Sequence, residues 1–385
     1  MGTSAAEGRA RDRIAELATR GLDLVTLWRA ATEVIAPVVP HYRTPCWFTL
    51  DPLSLLATSH YEQGLPEVPP EWLVHEYMVD DAHKMDDVAR SATGASTLHE
   101  ACGGDPTSSI AWTLYMEPYG AEQELLVALR TPGGESWGML GLYRERGAPW
   151  FSETEIRFLR SVAPDLAAAA RRGLLVGEAA DPEGPDAPGV VVVDPDGAVV
   201  SATPGVERWL ELLPGGGDVA GGGAAPPALR AVAGRALATA RSPSRDDPAF
   251  ARVRTLDGRW VMLHGALLDG EPGHRVAVIV EPAHPGRISP LLMAAYGLTA
   301  REKDVARLVL RGLSTAEIAD ELFLSPHTVQ QHLKSVFEKT GVRSRRELVG
   351  GVFFAHYEPR LRDNERRTAR GDAIRGGPAQ GSPGG

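Results

Sequence analysis

His327, Gln330, Gln331 and Lys334 stand at positions i, i+3, i+4 and i+7, the spacing that gathers four side chains on one face of a helix. All four can donate hydrogen bonds, the two amides can also accept, and Thr328 and Ser335 extend the polar face without adding a carboxylate. A primary amide donates and accepts at once, which fits the N6 and N7 edge of adenine in a DNA major groove. Lys334, one turn past the amides, can reach a guanine or a phosphate. Thr328, Lys339, Arg343 and Arg345 are candidates for phosphate oxygens, contacts that position a protein on a duplex without reading its sequence. The plain alternative for each Lys or Arg is an ordinary solvated surface residue.

Four short helices must position these groups, and the sequence marks their ends. Thr299 and Glu302, Ser314 and Glu317, and Ser344 and Glu347 have capping-box spacing, with Leu313 and Ile318 as a hydrophobic staple around the second. Ser325-Pro326 supplies an N-cap and a proline at the first helical position, where a missing N–H costs nothing. Gly312 and Gly341 fall just past helix ends, where a left-handed residue is wanted. Val305, Leu308 and Val309, then Ile318, Ala319 and Leu322, then Val329, Leu333, Val336 and Phe337 form one apolar stripe per helix. Only Phe323-Leu324-Ser325 separates the second stripe from the third, so the two helices form a helix-turn-helix.

Leu-Thr-Ala-Arg-Glu (298–302), Gly-Leu-Ser-Thr-Ala-Glu-Ile-Ala (312–319), Leu-Ser-Pro-His-Thr-Val-Gln-Gln-His-Leu (324–333) and Lys-Thr-Gly-Val-Arg-Ser-Arg (339–345) resemble the LuxR-type DNA-binding domain. The resemblance implies an all-α four-helix domain over residues 294–356, with recognition helix 325–339 in the major groove and a homodimer on DNA half-sites. Gln330 stands where that family usually has Lys, which removes one expected cationic contact.

At 385 residues the chain is long enough for two or three domains. Its net charge of −10 is unevenly spread: from Thr299 onward, 15 Lys and Arg stand against 11 Asp and Glu, and the acidic excess lies before that point. The C-terminal part is therefore the one suited to phosphate. Two cysteines, Cys46 and Cys102, make no disulfide framework. With no signal-peptide pattern and no apolar run of about 20 residues, a cytoplasmic protein without membrane contact is expected.

The remaining chain predicts two α+β domains. Residues 10–175 combine helical spacing from Ile14 to Ile35, strands at Trp47–Leu50, Leu55–Thr58, Glu122–Leu129 and Ser136–Tyr143, and helices at Trp72–Met78 and Met85–Ala89. A long helix opened by the Ser152/Glu155 box, with Pro164 inside as a kink, closes the domain. Trp-Gly-Met-Leu-Gly-Leu-Tyr (137–143) before that helix resembles the end of a GAF sensor domain. Residues 176–189 read as a linker. Residues 190–283 hold a Val190–Val193 hairpin, helices near 205–213 and 228–240, and three more strands, an order that resembles a PAS domain. A low-complexity loop spans 215–227, and residues 357–385 form a basic, Gly-rich tail.

His60, His75, His83, His99 and Cys102 match no closed zinc spacing, so no metal or cofactor is expected. Trp72, Tyr77, Trp112 and Tyr115 fit either a core or the lining of an effector pocket. Asp194 runs directly into a turn and another strand, unlike a phospho-acceptor in a doubly wound sheet. No catalytic signature is present, and no enzyme is expected. The expectation is a sequence-specific transcription regulator with double-stranded DNA and RNA polymerase as partners. Two readings stand beside it: a helix-turn-helix used mainly as a protein-interaction module contacting polymerase, or an N-terminal enzyme with an attached regulator.

Overall fold

The computed structural model describes residues 2–61, 71–174, 188–216, 225–241, 247–268, 275–283, 293, 296–345 and 347–348. It divides into two compact units: Met1–Val176 with Pro188–Leu256 and Val261–Val280, and Gly177–Ala187 with Asp257–Trp260 and Glu281–Gly385. Most of the expected linker 176–189, the centre of the 215–227 loop and the whole 357–385 tail lie outside the described residues.

The first unit opens with α1 (Gly2–Thr19) and α2 (Leu24–Ile35). The break between them follows from Gly21 at φ 62 and from Asp23, whose carboxylate accepts the Thr26 N–H and starts a new helix. Then come β1 (Tyr42–Leu50), β2 (Ala57–Tyr61), α3 (Trp72–Met78), α4 (Met85–Arg90), β3 (Ala95–Thr97), α5 (Leu98–Ala101), β4 (Ala121–Arg130), β5 (Ser136–Glu145) and α6 (Glu153–Gly173). The sheet order is β2-β1-β5-β4-β3. Both halves of the Ser152/Glu155 capping box are present, and α6 runs on through Pro164. Leu55 and Leu56, expected in a strand, instead belong to a turn: Leu55 has φ 59 and its N–H donates to the Asp51 carbonyl, so β2 begins at Ala57. His99 is a helical residue of α5 and Cys102 is its C-cap, packed locally against the cluster of Leu98, Met116 and Ala121.

A second sheet follows, with β6 (Gly189–Val193), β7 (Val199–Ala202), α7 (Glu207–Leu212), α8 (Pro227–Arg241), β8 (Phe250–Arg254), β9 (Trp260–Leu268) and β10 (Arg275–Pro282). Its order, β7-β6-β10-β9-β8, repeats that of the first sheet, each with its opening hairpin at one edge and its last strand beside its first. The ladders β1–β2, β1–β5, β3–β4, β4–β5, β6–β7 and β6–β10 are antiparallel. The region is thus α+β with two antiparallel sheets.

Strand alternation divides the first sheet's side chains between two cores. On one face Trp47, Leu125, Val127 and Leu140 meet α1, α2 and α6, and the Trp47 ring stacks on Trp28 with centroids 4.7 Å apart. On the other face Phe48, Leu126 and Met139 share a cluster with Leu73 of α3, Val232 of α8 and Val191 and Val278 of the second sheet. The two sheets therefore share one hydrophobic core. Polar struts cross it. Arg252 gives its backbone N–H and two guanidinium N–H groups to the Asp51 carboxylate at 2.9, 2.8 and 2.7 Å, and both side chains are buried. Arg235 of α8 binds Asp86 of α4 at 2.7 Å. Gly234 lies so close to Val74 of α3 that an added Cβ would sit 2.4 Å from the Val74 carbonyl oxygen.

The second unit holds α9 (Ala300–Leu310), α10 (Thr315–Leu322) and α11 (Pro326–Thr340), and a further helical turn opens at Arg345. Val305, Val309, Ile318, Val329, Leu333 and Val336 form their common core. Among the described residues, no helix is long and apolar enough to cross a membrane.

Candidate nucleic-acid interface

Backbone satisfaction at the helix ends builds the reader. Thr299 and Ser314 each accept the N–H three residues on at 3.3 Å, and Glu302 and Glu317 reach back to the cap N–H at 2.7 Å. Ser325 caps α11 through the Thr328 N–H at 3.1 Å, with Pro326 first in the helix. Gly312 and Gly341 are left-handed, at φ 88 and 74. The third expected box forms only in half. Ser344 accepts the Glu347 N–H at 3.1 Å, but the Glu347 carboxylate takes the N–H of Arg343 instead of that of Ser344. One left-handed residue gave no sign in the sequence: Phe323, the C-cap of α10, has φ 55 and ψ 44 and is 95% exposed.

Leu324 follows that turn and packs partly into the reader core, as does Leu313 before α10. The turn thus sets α11 with Val329, Leu333 and Val336 inward. The opposite face presents His327, Gln330, Gln331 and Lys334, all exposed. The Gln331 amide nitrogen lies 3.1 Å from His327 Nε2, and Lys334 is 4.0 Å from Glu338. Gln330 donates to the Thr315 hydroxyl of α10 at 3.2 Å, tying the two helices of the motif together. These contacts are at the surface, so the amides can exchange them for base edges at small cost.

The phosphate candidates are not alike. Arg343 is exposed, and the half-buried Thr328 hydroxyl meets that of Ser325 at 2.8 Å at the start of α11. Lys339 donates to Glu302 at 2.6 Å, and Arg345 donates to the Leu313 carbonyl at 2.5 Å. Glu302 was legible only as a cap. It is in fact a buried carboxylate that also accepts from the Ser335 hydroxyl at 2.6 Å, joining α9 to α11. The spacing of Ser335 and Lys339, one turn apart on α11, was the available sign.

Burial by itself would raise the Glu302 pKa, but hydrogen bonds from Lys339, Ser335 and Thr299 outweigh it and hold it at about 2, against an ordinary 4.5. A depressed folded-state pKa contributes stability that is fully present above about pH 4.5 and is lost as pH falls toward about 2. The reader's melting temperature should drop across that window. Glu302→Gln should flatten that part of the pH profile, which melts of both proteins at stepped pH would measure; parallel profiles would refute the linkage.

Residues 297–350 match the family model described as bacterial regulatory proteins, luxR family. An HTH-type transcriptional regulator of Mycobacterium tuberculosis (strain H37Rv) is 56% identical over 52 residues, 14% of this chain and 6% of that protein. The spore germination protein GerE of Bacillus subtilis (strain 168) is 42% identical over 52 residues, which cover 70% of its length. The transcriptional regulatory protein UhpA of Escherichia coli (strain K12) is 45% identical over 56 residues, 29% of its length. The chain spans only about 6% of the length of the mycobacterial relatives it matches.

Proposed function

The chain belongs to the luxR family of bacterial regulatory proteins through residues 297–350, and from that premise we propose that it is a sequence-specific, DNA-binding transcription regulator. One observation carries this reading: α11 is held by a buried stripe while its opposite face offers His327, Gln330, Gln331 and Lys334 to solvent. These four are assigned to base edges in the major groove. Thr328 and Arg343 are assigned to phosphates. Lys339 and Arg345, also phosphate candidates by sequence, act chiefly as struts, Lys339 holding α11 to Glu302 and Arg345 holding the segment after α11 to the Leu313 carbonyl.

A homodimer would place two such helices about one helical turn of DNA apart, at half-sites, and RNA polymerase is the second partner. A regulator of this kind would act in the cytoplasm, where its DNA is. The N-terminal unit is assigned as a sensor of GAF-like and PAS-like lobes, a reading supported by its two antiparallel sheets of identical strand order. Whether two readers reach their half-sites together is then set by the state of that unit.

Selection of genomic fragments on the full-length protein tests this function. Enrichment of one motif with paired half-sites is the expected result, and no enrichment would favour a polymerase-contact module. On the selected site Gln331→Ala should cost about 1–3 kcal/mol of binding and little on random DNA. Equal losses on both, in titrations at one salt concentration, would contradict base reading.

A further inference from the structure

Between the first sheet and α3 lies a cavity of about 80 Å3. Trp72 and Tyr115 line it; of the other two aromatic candidates, Tyr77 is buried with its hydroxyl on the Ala57 N–H, and the Trp112 indole donates to the Glu122 carbonyl. One wall is aromatic. Phe48 and His60 stack with centroids 4.3 Å apart and planes 4° from parallel, and the Trp72 ring lies 5.8 Å from each. Burial, with the charge of Arg230, lowers His60 to about 4, so near neutral pH it is an uncharged ring.

The other wall carries two carboxylates, Glu76 and Glu124. Glu124 lies 2.9 Å from Nδ1 of the buried His83, whose Nε2 is 3.0 Å from the Ser96 carbonyl and must donate to it. Glu124 is therefore already paired with the His83 ring.

Glu76 is the carboxylate left over. One of its oxygens accepts the Met85 N–H at 2.7 Å. Of the basic groups nearby, the buried Lys84 spends a donor on the Val79 carbonyl at 2.8 Å and offsets the Glu76 charge only in part, and Arg43 at the rim is exposed, its guanidinium 4.8 Å over the Tyr42 ring. Burial is the main cause that pushes the Glu76 carboxyl up to about 8. Such a group stays protonated in an empty cavity and gives up its proton when a cation arrives.

We propose that this cavity binds a small organic ammonium ion, with its charge against Glu76 and its alkyl groups against Phe48, His60 and Trp72. A desolvated cation needs both partners. The carboxylate supplies charge, and the ring faces supply their quadrupoles in place of water. The size restricts the ligand to a small ion, since the volume is about half that of a 150 Å3 cavity able to hold benzene. The proposal rests on the reading of the N-terminal unit as a sensor and gives that sensor a ligand class.

Calorimetric titration of the full chain with tetramethylammonium chloride, at constant ionic strength, tests it. The probe should bind saturably, with tert-butanol and propionate weaker by about tenfold or more. Glu76→Gln keeps an acceptor for the Met85 N–H and should lose about tenfold or more in tetramethylammonium affinity while its circular dichroism stays native. If that variant does not fold, Trp72→Leu should show a similar loss. Absence of binding, equal binding of tert-butanol, a preference for propionate, or unchanged affinity in a folded variant each overturns the proposal. DNA binding in the same samples separates the two readings. A chain that binds its DNA site but not tetramethylammonium refutes the ligand alone. A chain that binds tetramethylammonium but no DNA refutes the regulator and leaves the ligand site standing.

Discussion

Replacing Asp51 with Ala should remove about 3–5 kcal/mol from the stability of the N-terminal unit. The carboxylate sits in the turn after β1, and its two oxygens take the Leu53 N–H and three N–H groups of Arg252, all between 2.7 and 2.9 Å. Truncation leaves a buried guanidinium beside an apolar core with no charge to meet it, and the Leu53 turn loses its acceptor. The large effect therefore comes from the orphaned partner, not from the worth of the pair. Replacing Arg252 with Met as well should recover part of that loss, because the uncompensated charge is gone while the Leu53 and Arg252 backbone N–H groups still lack their acceptor. Chemical denaturation of Asp51→Ala, Arg252→Met and the double variant makes the comparison. Additive losses in the double variant would show that the two side chains do not act as a unit. Since the bond ties the β1 turn to β8, the single variant should also lower protection from amide exchange in both sheets.

That strut shows what the sequence could not disclose. Asp51 and Arg252 are 201 positions apart, and nothing local to either marks the other. The capping boxes at Thr299, Ser314 and Ser152 were readable because both halves lie within four residues and answer a local need of the backbone. The hairpin strands were readable for a similar reason, from alternation and turn residues. The repeated strand order and the shared core depend on pairings between segments far apart, so neither was visible. In the reader, the face of α11 was legible from its period. The buried partnership of Glu302 with Ser335 and Lys339 joins two helices, and the sequence showed only its capping half. The cavity was half legible: Trp72 and Tyr115 stood out as aromatics, whereas Glu76, His83 and Glu124 come from separate elements and acquire meaning only together.

In the reader, the largest effect should come from Leu333→Ala. Leu333 lies one turn beyond Val329 on α11, is 3% exposed, and packs in the cluster that joins α11 to α9 and α10. Truncating a buried leucine costs about 2–5 kcal/mol through lost burial and the cavity left behind. A core this small supplies only about 3–5 kcal/mol in total, so the loss is comparable to the whole stability of the reader. DNA binding at 37 °C should then disappear on every sequence, because the helix that carries His327, Gln330, Gln331 and Lys334 is no longer held. The N-terminal cores contain none of these residues and should melt as before. This outcome differs in kind from that of Gln331→Ala, which keeps the fold and loses preference for one site. Calorimetric melts and DNA titrations on both variants distinguish them. If Leu333→Ala kept specific binding, the buried stripe of α11 would not be what holds the reading face in place.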